Sequence, residues 1–427
     1  MKQYTVAVLG ATGAVGQEMI KILQERNFPV GRLVPLASAR SAGKTIPFRG
    51  GEVAVAEACD AAFEGVDIVL GAAENDIAER FAPAIVKAGA VFVDNSSAFR
   101  LNPDVPLIVP EVNPEDVKKH RGILSNPNCS TIIAVTAVNA LNSIAPIRTM
   151  TVSTYQAVSG AGVAGPRELT EQVEALRNGE TVVPKVFSYQ IAYNLIPQIG
   201  GEQFEGYTSE EMKMQNEGRK IMHLPELKVS CTCVRVPVVR SHSISVSCHF
   251  DVPVTAEQAR QAIAGAPGCR LVDDLKNKRY PMPLETSDQD IVFVGRIRPD
   301  LTDDNGICLW CCGDQVRKGA ATNAVQIAEL LVKEGGRTMS EDIPCCDEGF
   351  IFSKKPNEEE KVESSAQRVI SLLKTVSELY PEEEVCYLIS KAARLGGYPK
   401  LDTRYCTDDA VAEGLRKMIA RKEIRSR

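Results

Sequence analysis

The chain has 427 residues, 44% of them hydrophobic and 24% charged, which is the balance of an ordinary globular protein with room for two or three domains. A net charge of −6 without a basic block argues against nucleic-acid binding, and no apolar run reaches membrane-spanning length. The 13 cysteines, an odd number scattered through apolar segments, fit reduced thiols in the cytoplasm better than a disulfide framework, and the first residues enter a strand-like run with no signal-peptide pattern.

Residues 4–9 are a short apolar run. Gly10-Ala11-Thr12-Gly13-Ala14-Val15-Gly16 follows directly, then the helical pattern Met19, Ile20, Leu23. Strand, glycine turn and helix in that order form a pyrophosphate cradle, because glycines admit close backbone approach and the helix start offers N–H donors. The spacing is G-x-x-G-x-x-G rather than G-x-G-x-x-G, so a glycine-rich turn without a ligand stands as the other reading. A second strand over 32–37 runs into Ser38-Ala39-Arg40-Ser41, with Lys44 close by. Where an acidic residue would take the ribose hydroxyls of NAD, this chain has an arginine and two hydroxyls. That set pairs with a 2′-phosphate and indicates NADP, the alternative being a solvated loop arginine. Apolar runs at 67–70 and 90–93 alternate with a helical stretch at 77–88, which predicts a parallel, doubly wound sheet of the α/β class. Asp94-Asn95-Ser96-Ser97-Ala98-Phe99-Arg100 falls at a strand's C-terminal end, where such sheets bind ligands.

Ser125-Asn126-Pro127-Asn128-Cys129-Ser130-Thr131 is a polar turn ending in one cysteine, followed by a small, apolar, helix-compatible run at 132–141. A cysteine at a helix start meets unpaired amides and the positive end of the helix dipole, which favour the thiolate and offer donors to an oxyanion. A buried cysteine in a tight turn is the competing reading.

Beyond it, 149–158 reads as a strand with Gln156 near its end, Ser159-Gly160-Ala161-Gly162 as a tight turn, and 167–178 as a helix. Ser209 is the expected N-cap of another helix, in which Glu210 and Lys213 form an i, i+3 pair; in isolation this is a surface ion pair. The β-rich stretches 229–239, 243–250, 291–297 and 307–312, with few intervening helices, predict a mixed or largely antiparallel second sheet. His242 would share a strand face with Ile244 and Val246, and has a functional role only if Cys129 is its neighbour. Arg235, inside an apolar run, needs an anion, and a substrate carboxylate is a natural one. Cys308-Leu309-Trp310-Cys311 lies within a strand-like run, so its C-x-x-C is structural rather than redox-active. The four histidines form no ligand pair, and no metal site is expected. A polar turn over 314–323 feeds a helix through 331 that would dock back on the nucleotide domain.

Nine blocks in order carry a resemblance: GATGAVG (10–16), ASARSAGK (37–44), DNSSAFR (94–100), NPNCST (126–131), YQAVSGAG (155–162), EEMK (210–213), CVRVPVVRSHS (233–243), FVGRIR (293–298) and RKGAATN (317–323). Through them residues 1 to about 335 resemble aspartate-β-semialdehyde dehydrogenase, most nearly the form found in Gram-positive bacteria. The resemblance implies interconversion of L-aspartyl-4-phosphate and L-aspartate-4-semialdehyde with NADPH and release of phosphate, in the biosynthesis of lysine, methionine, threonine and diaminopimelate. It implies Cys129 as the nucleophile that forms a thioester, His242 as its acid/base partner and Gln156 as the residue orienting the bound group. Arg235 would hold the substrate carboxylate and Glu210 the amino group. Arg100 and Lys213, helped by Asn95, would hold phosphate, with Asn128 beside the nucleophile. The cofactor set would be Gly10, Thr12, Gly13, Ala14, Val15, Gly16, Ser38, Arg40 and Ser41, with Ser159, Gly160 and Asn323 facing the nicotinamide. A homodimer or homotetramer is also implied. One departure is Gly71-Ala72-Ala73-Glu74-Asn75-Asp76, where relatives carry a serine–glycine stretch against the cofactor.

The expected organisation is an NADP-binding Rossmann-type domain over 1–130, completed by a helix at 319–334, and an α+β catalytic and dimerisation domain over 131–318. A linker at 336–361 holds Cys345 and Cys346, and a helical extension at 362–427 follows. The extension has one apolar face of Val369, Leu372, Leu373, Val376 and Leu379 and another of Val411, Leu415, Met418 and Ile419. Two rivals remain. One is a reductase of another acyl phosphate such as N-acetylglutamyl phosphate, which has no free amino group to engage Glu210. The other is a catalytically inactive scaffold paralogue, which would have no need of Cys129, Gln156, Arg235 and His242 together.

Overall fold

The first strand, β1 (Tyr4–Leu9), is buried along nearly its whole length, as a central strand of a parallel sheet covered on both faces must be. The structure, a computed structural model, describes residues 2–334. The expected linker, the Cys345-Cys346 pair and the helical extension lie outside the described residues.

Strands β1, β2 (Val30–Ala37), β3 (Ala56–Glu57), β4 (Ile68–Gly71), β5 (Val91–Asp94) and β6 (Ile123–Ser125) form a six-stranded, wholly parallel sheet in the order β3-β2-β1-β4-β5-β6. Helices α1 (Ala14–Glu25) and α2 (Asn75–Lys87) make the crossovers from β1 to β2 and from β4 to β5. The order reverses between β1 and β4, so the ligand crevice lies beyond the C-terminal ends of these two strands.

The second sheet is mixed. Strands β7 (Ile147–Gln156), β8 (Lys228–Arg235), β9 (His242–Phe250), β10 (Cys269–Leu271), β11 (Val292–Pro299) and β12 (Gly306–Gly313) run in the order β8-β7-β9-β12-β11-β10. The β7–β8 and β10–β11 pairs are parallel and the others antiparallel. One face packs against α3 (Cys129–Asn142), α5 (Ser209–Ile221) and α6 (Ala256–Gly265) through a core that includes Ile132, Val135, Met214, Val152, Val246 and Leu309. Between β7 and α5 lies α4 (Ala164–Arg177). Helix α3 is apolar nearly all round and buried to match.

The last helix of the described residues, α7 (Thr322–Lys333), returns to the first sheet. Its Ala324, Val325, Ile327, Ala328 and Leu331 share a core with Val6, Val8 and Ile20. The chain thus leaves the parallel layer after Ser125 and re-enters it at a π-helical turn, Arg317–Ala321. Such turns are rare and frequently border functional sites.

The sequence expectations and the elements differ in two instructive places. The cap of α5 is Thr208, not Ser209. The Thr208 hydroxyl accepts the Glu211 amide and the Glu211 carboxylate accepts the Thr208 amide, a reciprocal capping box. The strand expected over 229–239 stops at Arg235, two residues before Pro237, which has no N–H for the ladder.

Candidate active site

Helix α3 begins at Cys129, the first residue of its first turn. Asn128 is the N-cap, and its Oδ1 accepts the amides of Ser130 at 3.0 Å and Thr131 at 3.3 Å. This satisfies two of the orphan donors and fixes the turn, so the Cys129 side chain projects from a rigid element. Its Sγ lies 3.5 Å from Nε2 of His242, the first residue of β9, and keeps part of its surface open. The pair is 113 residues apart in the chain.

His242 is wholly buried, and its Nδ1 accepts the backbone N–H of Ala157 at 3.0 Å. An amide can only donate, so the neutral ring carries its proton on Nε2, facing the sulfur. Burial, and then the positive charge of Arg235, hold the imidazole well below its usual pKa. Ser241, just before it, has φ +73° and donates its amide to Gln315 Oε1 at 2.9 Å. A non-glycine residue in this left-handed region marks a turn held by its surroundings.

The thiol does not follow the expectation of a thiolate favoured by the helix start. Burial pushes Cys129 up to about 11 and the Glu210 carboxylate adds to the rise, while Arg235, Lys213 and Arg100 pull it down. The helix dipole acts in the expected direction, but desolvation of a sulfur anion outweighs it here.

Arg235 ends β8 beside Gln156, its register partner in β7. Its NH1 donates to the Ala157 carbonyl at 2.7 Å. It is buried, burial lowers its pKa, and among the described residues it has no carboxylate in ion-pair range. A buried guanidinium with spare donors is an anion site. Gly160 closes this corner. A Cβ there would sit 2.7 Å from the Arg235 NH1 and 3.2 Å from His242 Cε1, so any side chain would push the guanidinium from its place.

Glu210 is buried in a cluster of its own. Its Oε1 accepts Asn128 Nδ2 at 2.9 Å and Gln156 Nε2 at 3.4 Å, and its Oε2 accepts Lys213 Nζ at 3.0 Å. Burial alone would raise its pKa, but Lys213 and the two amides carry it below the ordinary carboxylate value. The i, i+3 pair is therefore no surface ion pair. Arg100 donates Nε to the Asn126 carbonyl at 2.9 Å, NH2 to the Asn95 carbonyl at 2.8 Å and NH1 to Glu217 Oε1 at 3.1 Å. The Asn95 side chain accepts Asn126 Nδ2 at 2.6 Å. The structure therefore brings Cys129, His242, Gln156, Arg235, Glu210, Lys213, Arg100, Asn95 and Asn128 into one connected site.

On the nucleotide side, Gly10 has φ +86°, and a Cβ there would meet the Ala72 carbonyl oxygen at 2.5 Å. The N-cap of α1 is Gly13, with no side-chain cap on the first amides of Ala14, Val15 and Gly16. Thr12 lies within the same turn. Uncapped amides at a glycine turn fit a pyrophosphate. Ser38 and Arg40 are exposed at the end of β2 and Ser41 is buried, in a 3₁₀ turn at Ala39–Ser41. Among the described residues Arg40 has no carboxylate partner. Ala14 and Ser159 line one cavity of ≈750 Å³, with Gln17, Gly162 and Val316. Glu74, Asn75 and Asp76 are exposed. Asp76 sits in the first turn of α2, where a negative charge complements the helix dipole. Asn323 is wholly buried. It donates to the Ile108 carbonyl at 2.9 Å and Asn126 Oδ1 at 2.7 Å, and accepts from Lys318 Nζ at 2.9 Å. Its Oδ1 and Nδ2 are thus engaged by Lys318, Asn126 and the Ile108 carbonyl.

Three charges carried no assigned role in the sequence: Glu217 and Glu111, outside every motif, and Lys318, within RKGAATN. Glu217 binds Arg100 and the Asn128 amide. Lys318, with no exposed surface, donates to Glu111 Oε2 at 2.5 Å and Gln326 Oε1 at 2.8 Å as well as to Asn323. Helical spacing from Glu210 would have brought Glu217 to notice; nothing local pointed to the pairing of Lys318 with Glu111, 207 residues away. Among the described residues no group of His, Cys, Asp or Glu could hold a metal ion, and no helix is long and apolar enough to cross a membrane.

Two family models match the chain: the NAD binding domain of semialdehyde dehydrogenases over residues 5–120 and their dimerisation domain over 138–318. The aspartate-semialdehyde dehydrogenase of Synechocystis sp. is 48% identical over 330 residues, covering 77% of this chain and 98% of that one. That of Aquifex aeolicus is 50% identical over 337 residues, covering 78% and 99%. The crystal structure of aspartate semialdehyde dehydrogenase II from Vibrio cholerae complexed with ASA superposes with a TM-score of 0.76 at 44% identity, covering 78% of this chain and 99% of that one.

Proposed function

The chain belongs to the aspartate-semialdehyde dehydrogenase family, and on that premise we propose that it interconverts L-aspartyl-4-phosphate and L-aspartate-4-semialdehyde with NADPH and NADP, exchanging inorganic phosphate. The observation that carries this reading is the Cys129–His242 pair, 3.5 Å apart, beside a buried Arg235 with no carboxylate of its own. The reductase of N-acetylglutamyl phosphate is disfavoured by Glu210, a buried carboxylate suited to a free amino group.

Arg235 binds the α-carboxylate, Glu210 the α-amino group, and Arg100 with Lys213 the phosphoryl group, leaving the acyl carbon at Cys129. Sγ bonds to that carbon as the carbon–oxygen bond to phosphate breaks, and the thiol proton leaves with the phosphate. Asn128 and Gln156 hold Glu210 and the turn in register. When bound, the nicotinamide supplies a hydride to the thioester carbon. His242 Nε2 faces the oxygen that gains charge and delivers the proton that accompanies reduction. Collapse of the hemithioacetal frees the aldehyde and returns the hydroxyl proton to His242 Nε2, and the departing sulfur takes up the one proton that the reduction draws from solvent.

The uncapped amides of α1 and the close approach at Gly10 fit the cofactor pyrophosphate, and exposed Arg40 with Ser38 and Ser41 suits the 2′-phosphate of NADP. Ser159 lines the cavity beside α1, and Gly160, next in the chain, lies against Arg235 and His242, which suits a nicotinamide placed between the two. A homodimer or homotetramer is supported by the match to a dimerisation domain, and by the face of the second sheet opposite its helices. That face carries Thr151, Tyr155, Ser245, Ser247 and Trp310, with Tyr155 and Trp310 in ring contact at 5.4 Å. The nine described cysteines are free thiols, which fits a reducing, cytosolic setting.

The test is NADP reduction with L-aspartate-4-semialdehyde, with and without phosphate. The reading requires phosphate-dependent turnover that Cys129→Ala abolishes while NADP binding persists. Turnover in Cys129→Ala would refute it.

A further inference from the structure

Glu210, Lys213, Glu217 and Lys220 recur along α5 at three- and four-residue spacing, so they share one face of the helix. The first two belong to the substrate site. Glu217 does something different. Its side chain is 2% exposed, and its two oxygens serve two different parts of the site. Oε2 accepts the backbone N–H of Asn128 at 2.7 Å, and Oε1 accepts NH1 of Arg100 at 3.1 Å. Arg100 donates Nε to the carbonyl of Asn126, two residues before Asn128. A closed ring therefore runs from Glu217 to Asn128, back along the turn to Asn126, across to Arg100 and home to Glu217. Lys220, a turn further along α5, donates to the carbonyls of Arg100, Asn102 and Val105 at 2.8, 2.6 and 2.7 Å. One helix face thus grips both the guanidinium of Arg100 and the backbone that carries it.

We propose that Glu217 is a positioning residue: it fixes the Arg100 guanidinium against the Cys129 turn, and so sets how well phosphate is held at the nucleophile. This rests on the assignment of Cys129 as nucleophile and Arg100 as a phosphate ligand. Glu217 itself makes no contact that a substrate would need. A carboxylate accepts at both oxygens. Glutamine accepts at one only, and its NH2 would then face either the Asn128 amide or Arg100, donor to donor. Glu217→Gln therefore breaks one link at constant size. Glu217→Asp keeps the charge but is one methylene short and reaches one partner.

The experiment uses the full chain and measures phosphate-dependent oxidation of aspartate semialdehyde, varying phosphate and aldehyde in turn. Glu217→Gln is expected to raise the KM for phosphate roughly tenfold, leave that for the aldehyde within about twofold, and add nothing in an Arg100→Met background. Glu217→Asp should raise the phosphate KM by less, and it carries the test if the glutamine variant does not fold. A purely structural role would lower kcat and thermal stability with both KM values unchanged, and that result in both variants would overturn the proposal. So would an equal rise in both KM values, or an effect that persists in full without Arg100. A phosphate KM that moves in Arg100→Met but in neither Glu217 variant overturns the positioning role alone. One that moves in none of them overturns the Arg100 assignment as well.

Discussion

The amide of Ala157 donates to Nδ1 of His242 at 3.0 Å, so the neutral imidazole presents Nε2–H to the Cys129 sulfur at 3.5 Å. At rest, then, the ring is a donor, able to stabilise the thiolate as it forms but not to withdraw the thiol proton beforehand. Burial and Glu210 meanwhile hold the thiol up to about 11. Alkylation of Cys129 by iodoacetamide, followed on its own peptide by mass spectrometry, should keep accelerating above neutral pH and level off only toward that value. Glu210→Gln removes a negative charge that opposes the thiolate and should shift the profile down. Arg235→Leu removes a positive charge that favours it and should shift the profile up. A plateau near neutral pH in the parent protein would contradict this picture.

Arg235→Leu also separates substrate from cofactor. Losing a charge-assisted contact to a carboxylate costs about 1.5–3 kcal/mol, so the specificity constant for aspartate semialdehyde should fall by roughly ten- to a hundredfold. NADP affinity, measured by fluorescence titration, should be unchanged. Equal losses of both would mean that the substitution disturbs the fold around Gly160 instead.

Arg40→Asp puts a negative charge where the 2′-phosphate would lie. The ratio of NADPH to NADH specificity constants should fall by about tenfold or more. An unaltered ratio would remove Arg40 from the cofactor site.

Lys318 and Glu111 form an ion pair between groups 207 residues apart, with the lysine wholly buried. Lys318→Met leaves a buried carboxylate without its cation, a change that costs roughly 3–5 kcal/mol. Urea unfolding should show a loss of that order, and the double variant Lys318→Met with Glu111→Gln should recover much of it. A single variant as stable as the parent would mean that water already reaches Glu111.

What could be read in the sequence was local. Gly10 to Gly16 follows a strand and opens a helix, and Cys129 follows a polar turn and opens another; both signals lie within ten residues. The two sheets were legible from the change of pattern after Cys129, and Arg235 from the oddity of a guanidinium in an apolar strand. The unread features are sums over distance. Glu217 meets Arg100 across 117 residues, and neither residue's neighbours predict the other. For the Cys129 thiol the helix start is visible in sequence, whereas the desolvation that raises its pKa depends on what packs around the sulfur. The cap of α5 was misplaced by one residue because Ser209 and Thr208 both suit it. The Glu211 carboxylate, three residues after Thr208, decides between them. Asn323 meets Lys318 within its own RKGAATN block, but its other partners, Asn126 and Ile108, lie 197 and 215 residues away and are invisible from its neighbours.

The central claim is that Cys129 carries the acyl group. The protein should be mixed with aspartate semialdehyde and NADP in the absence of phosphate, quenched in acid, digested and analysed by mass spectrometry. The expected result is a burst of NADPH matched by one aspartyl group on the Cys129 peptide, discharged when phosphate is added before the quench. A burst of NADPH with Cys129 unmodified, or an acyl group on another cysteine, would contradict it.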